Sequence, residues 1–98
     1  MDHIRVSLVR SGGFGGLSRE GSLDTSALDA EAAREVADLV DRLDLPRLAE
    51  TRRAPGRPDG FQYDLTVERG DQQWQLSLAE SQVAPELRPL LQRVLRAG

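Results

Sequence analysis

Phe61-Gln62-Tyr63-Asp64-Leu65-Thr66-Val67-Glu68-Arg69-Gly70-Asp71-Gln72-Gln73-Trp74-Gln75-Leu76-Ser77-Leu78 is the stretch that decides the fold. Phe61, Tyr63, Leu65 and Val67 alternate with Gln62, Asp64, Thr66 and Glu68. Successive side chains of an extended strand point to opposite faces, so this run reads as a strand with one buried face. Arg69-Gly70-Asp71 supplies turn chemistry and is read as a hairpin turn, not as an adhesion signal. Trp74, Leu76 and Leu78 then alternate with Gln73, Gln75 and Ser77, which returns a second strand with its apolar side chains on the same side. The product is an antiparallel hairpin whose apolar face needs a cover.

Working outward, the sequence provides that cover on both sides. Downstream, Leu87, Leu90, Leu91, Val94 and Leu95 recur at helical spacing and make an apolar stripe. Pro85 and Glu86 suit a helix first turn. Pro89 disfavours helical geometry at Arg88, so the alternative is one tight turn followed by a helix from Pro89. Upstream, Asp29 is a good N-cap because its carboxylate can accept from free amides at a helix start. A helix is predicted from about Ala30 to Leu43, with Ala32, Val36, Leu39, Val40 and Leu43 on one stripe and Arg34, Glu35, Asp38, Asp41 and Arg42 toward water. Pro46 is expected to end it. Pro46 to Gly60 then reads as a long irregular connection, with Arg47, Arg52, Arg53 and Arg57 among prolines and glycines. Its Arg52, Arg53 and Arg57 cluster reads as a solvated loop before it reads as an anion site.

Near the start, Ile4, Val6 and Leu8 alternate with polar neighbours and predict a first strand. Leu17 to Leu23 alternates weakly, which fits a second strand at an edge or with a wet face. Asp24, Thr25 and Ser26 add turn and capping chemistry. The predicted order is therefore β-β-α-β-β-α, an α+β two-layer sandwich in which two helices cover a mainly antiparallel sheet.

Composition excludes several function classes. A chain of 98 residues with 39% hydrophobic and 30% charged residues suits one soluble domain, expected over 1–98. Without cysteine there is no thiolate nucleophile and no cysteine metal site. All 13 cations are arginine, so neither a Walker-type phosphate loop nor Schiff-base chemistry is available. The net charge of -3 argues against general nucleic-acid binding. Met1 to Val6 lacks the pattern of a secretory signal and no segment reaches membrane-spanning length, so a cytoplasmic, soluble protein with no membrane partner is expected. His3 is the only histidine and no serine has a histidine placed to activate it. Asp64, Glu68 and Glu80 are read as solvated or arginine-paired carboxylates. No enzyme activity, cofactor or metal is expected.

One segment remains unexplained by packing: Arg10-Ser11-Gly12-Gly13-Phe14-Gly15-Gly16-Leu17. Four glycines around one aromatic suggest unusual dihedrals or close approach by another chain. Phe14 is then a candidate anchor for a partner, because aromatics carry a large share of interface energy. The other reading is a glycine-rich turn whose phenylalanine folds back onto the core. The dinucleotide fingerprint fails here, because the last glycine is missing and a strand pattern follows.

Ile4-Arg5-Val6, Arg10 to Leu17, Asp24-Thr25, Leu39-Val40, Phe61 to Val67 and Pro85-Glu86-Leu87-Arg88-Pro89-Leu90-Leu91 together resemble the emfourin family. Emfourin-like proteins are small bacterial inhibitors of thermolysin-like zinc metalloproteases such as protealysin. The resemblance spans nearly the whole chain, and Trp74 departs from it by standing where a histidine is expected. It implies a non-catalytic inhibitor, monomeric when free, that blocks a protease cleft by protein contact. Arg10, Ser11, Gly12, Gly13, Phe14, Gly15, Gly16 and Arg19 are the protease-binding residues it suggests, with Phe14 as a substrate mimic and the two arginines at the rim of an acidic cleft. The alternative is a non-catalytic binding module with a different bacterial partner.

Overall fold

The computed structural model describes residues 3–12, 18–51 and 60–97. In chain order they form β1 (Ile4–Gly12), β2 (Arg19–Asp24), α1 (Ala30–Asp41), α2 (Leu45–Glu50), β3 (Phe61–Arg69), β4 (Gln72–Ala79) and α3 (Arg88–Ala97). Short 3-10 turns lie at Thr25–Ala27 and Glu80–Gln82. The four strands make one sheet in the order β2-β1-β3-β4. Every neighbouring pair is antiparallel.

Alternation decides which face is buried. Ile4, Val6 and Leu8 of β1, Leu23 of β2, Tyr63, Leu65 and Val67 of β3, and Leu76 and Leu78 of β4 all enter one core. Val36 and Val40 of α1 and Leu90, Leu91, Val94 and Leu95 of α3 complete it. The helices therefore share one face of the sheet, and the α+β two-layer architecture expected from the sequence is the one observed. Trp74 sits half-buried on the same face and packs against this core.

The opposite face is polar. Arg5 reaches Asp24 at 3.4 Å and Glu68 at 3.6 Å, while Ser77 Oγ donates to Asp64 Oδ1 at 2.7 Å. Hydrogen bonds from the Ser26 hydroxyl and amide, more than Arg5, hold the Asp24 carboxyl below its ordinary range.

The turns follow their residues. Gly70 and Asp71 alone separate β3 from β4, and Gly70 has φ 58° while no described non-glycine residue has a positive φ. Glycine at the first central position with that sign is the type II′ pattern, which matches the right-handed twist of the flanking strands. Asp29 caps α1 as expected, its Oδ1 accepting from the Ala32 amide at 2.8 Å. The second reading of the closing segment also holds: Leu87 N donates to Ala84 O in a tight turn and α3 starts at Arg88, with Pro89 in its first turn.

Three expectations need correction. Pro46 does not end the first helix, which stops at Asp41; it lies in the first turn of α2, a second helix where an irregular connection was expected. Asp44 caps that helix by accepting from the Arg47 amide at 3.4 Å, and a proline at this position gives up no intrahelical hydrogen bond. The described residues thus hold three helices where two were expected, and the order becomes β-β-α-α-β-β-α. Finally, β2 runs from Arg19 to Asp24, so Ser18 stands outside the strand expected over Leu17 to Leu23, while Leu17 itself lies outside the described residues.

Candidate functional site

Four of the residues singled out in the sequence, Arg10, Ser11, Gly12 and Arg19, lie at one end of the sheet. Arg10, Ser11 and Gly12 form the last three positions of β1, and Arg19 opens β2. Gly13, Phe14, Gly15 and Gly16 lie outside the described residues, as do Arg52, Arg53 and Arg57.

Gly12 fixes how β1 leaves the sheet. Its φ is 93°, a value that L side chains rarely adopt, and a β-carbon there would stand 2.5 Å from the Gly60 carbonyl oxygen. Two backbones therefore approach more closely than any other residue allows. Gly60 precedes β3, so its chain enters the sheet beside the place where β1 runs out.

The neighbouring rungs carry the larger side chains. Gly12 lies opposite Phe61, Ser11 opposite Gln62 and Arg10 opposite Tyr63. On the other side of β1, Arg10 faces Arg19. Two cations directly across an antiparallel pair repel, and the structure separates them. Arg19 Nη2 donates to the Leu95 carbonyl oxygen at 3.0 Å, near the C-terminal end of α3 where helix carbonyls favour a cation. Arg10 places its guanidinium 4.4 Å from the centre of the Phe61 ring, a cation–π contact.

Tyr63 supports this end from inside. It is buried, and burial first, then the neighbouring Glu80 carboxylate, push its phenol up to about 12, with Arg10 and Arg88 pulling weakly the other way. Arg88 Nη1 approaches Glu80 Oε1 at 3.4 Å and ties the start of α3 to the turn after β4. These groups position the strand ends and offer no nucleophile with an activating base. Among the described residues, no group of three or more histidine, cysteine, aspartate or glutamate side chains is placed to hold a metal ion.

Phe61 is the feature that the sequence reading missed. Its place in the alternation puts it on the buried face with Tyr63, yet it is 36% exposed, the only large hydrophobic side chain so exposed among the described residues. The signal lies in its cross-strand partner. Gly12 has no side chain to cover it, and the core ends at Tyr63 on β3 and at Leu8 on β1.

The candidate site is thus a cationic strand end with one exposed aromatic. No helix among the described residues is long and apolar enough to cross a membrane. The Emfourin family model matches residues 8–95, which takes in all seven strands and helices in whole or in large part. No curated protein and no solved structure matches the chain.

Proposed function

The chain belongs to the Emfourin family, an inhibitor-type family whose partner is a protease, and from that premise we propose that it is a non-catalytic inhibitor of a thermolysin-like zinc metalloprotease. In this reading one domain over 1–98 acts in the cytoplasm, as a monomer when free. Residues Arg10 to Gly16 with Arg19 enter or flank the substrate cleft. Phe14 occupies a subsite for bulky apolar side chains, and the glycines around it pass the groove walls without clashes.

The observation that carries the reading is the cationic strand end that frames this segment. Arg10 and Arg19 oppose each other in register, and Gly12 leaves β1 at a φ of 93°. An acidic cleft would supply counter-charge to the two arginines. Strands that hold both ends of the segment lower the ordering cost that a free peptide pays on binding.

The test is a titration of peptide hydrolysis by a thermolysin-like protease with the purified protein. Stoichiometric inhibition that Phe14→Ala weakens by about 2 kcal/mol or more is expected, as for a central interface anchor. Undiminished hydrolysis at saturating protein would overturn the reading. Unchanged inhibition by a folded Phe14→Ala variant would move the contact away from this residue.

A further inference from the structure

We propose that Phe61, held by Arg10, is a second and preorganised anchor for the same protease, which docks on it through an apolar subsite rimmed by carboxylates. The proposal rests on the inhibitor reading and extends the contact from the β1–β2 connection to the start of β3.

A single exposed hydrophobic residue is ordinary on a protein surface. Phe61 is set apart by what surrounds it. Its cross-strand partner is Gly12, so the ring stands at the strand end with no opposing side chain. Arg10 stacks on the ring at 4.4 Å, which presents an apolar surface and a positive charge as one unit. Aromatics and arginine are enriched at interface hot spots, and a cation–π pair strengthens when a partner desolvates it.

Charge indicates the chemistry of the partner. The protein carries a net charge of -3, yet Arg10 and Arg19 sit directly opposite each other on β1 and β2. Their guanidinium groups turn apart, to the Phe61 ring and to the Leu95 carbonyl, so this strand end offers two cations to the carboxylates of another surface.

Phe61 is held in place before a partner arrives. Phe61 belongs to β3, and the rungs Gly12–Phe61 and Arg10–Tyr63 fix its backbone before any partner arrives. The close approach of Gly12 to the Gly60 carbonyl secures the entry to the strand. Little backbone entropy remains to be lost there on docking.

The experiment measures inhibition constants of the wild-type protein, Phe61→Ala and Arg10→Gln against a thermolysin-like protease, with circular dichroism to verify folding. Phe61→Ala is expected to raise the inhibition constant at least about tenfold. Arg10→Gln is expected to raise it and to flatten its dependence on salt. Hydrogen exchange on the wild-type complex supplies a readout independent of variants: amides at Phe61 and Gln62 gain protection when the protease binds. Wild-type inhibition with unchanged constants for a folded Phe61→Ala, or with no added protection at Phe61, overturns the second anchor and leaves the inhibitor reading intact. A wild-type protein that inhibits no thermolysin-like protease overturns both. Self-association that Phe61→Ala abolishes would assign the surface to a second copy of the chain and overturn the proposal.

Discussion

Gly21 and Val94 meet backbone to backbone: a β-carbon on Gly21 would stand 2.3 Å from the Val94 carbonyl oxygen. The helix α3 therefore crosses the edge strand β2 at a separation that only glycine permits. Gly21→Ala is expected to destabilise the protein by about 1–3 kcal/mol, because the obstructing atom is main chain and cannot rotate away. Urea unfolding of the two proteins checks this, and an unchanged midpoint would show that α3 can shift at no cost.

Leu90 lies in α3 with its side chain fully buried between the helices and the sheet. Leu90→Ala removes that packing and leaves a cavity, for an expected loss of about 2–5 kcal/mol. The same substitution measured by thermal melting should lower the midpoint more than Gly21→Ala does.

Asp29 accepts from the Ala32 amide at the first turn of α1, and Asp44 does the same for Arg47 in α2. Asp29→Ala should cost about 1 kcal/mol, within the usual range for a lost N-cap. Asp44→Ala acts on a six-residue helix with a longer, 3.4 Å contact, so its effect on global unfolding should be smaller. Hydrogen exchange near Leu48 is the sensitive measurement for that second variant.

Tyr63 gives the protein an alkaline limit. In the unfolded chain its phenol titrates near 10.0, and in the fold it is pushed up to about 12. Between these values the unfolded state has lost the proton and the native state keeps it, so unfolding binds fewer protons and stability falls as pH rises. The contribution is fully present below about pH 10 and disappears as pH passes about 12. Tyr63→Phe should abolish this part of the slope. Tyr63 is the only tyrosine, so tyrosinate absorbance reports its titration without interference.

Much of this architecture is written in local periodicity. The Phe61–Leu78 alternation predicts β3, its two-residue turn and β4, because a strand needs only its own period of two to declare a buried face. The stripe of α1 and its Asp29 cap are legible for the same reason. What escaped were features whose cause lies elsewhere in the chain or in a competing local rule. Pro46 reads as a helix stop until Asp44 is seen to cap a new helix just ahead of it. Gly21 carries no local signal of its close contact, because its partner, Val94, is remote in sequence. Phe61 reads as core because alternation assigns a face but not the distance to which helices cover it. Arg10, Ser11, Gly12 and Arg19 of the suggested site do gather at one sheet end, while Gly13 to Gly16 fall outside the described residues.

The ladder between β1 and β3 runs from Ile4–Arg69 to Gly12–Phe61, and it alone joins the β1–β2 hairpin to the β3–β4 hairpin within the sheet. Each hairpin closes over a short stretch of chain, but these central rungs connect segments separated by both α1 and α2. Closing so long a loop costs entropy before any contact rewards it, which makes the β1–β3 encounter the slow event of folding. Substitutions at Val6 or Val67, a buried pair within that ladder, should therefore retard refolding, whereas changes confined to the Gly70 turn act on a hairpin that forms early. The rungs that set Phe61 beside Gly12 also set the pace at which the chain reaches its native state.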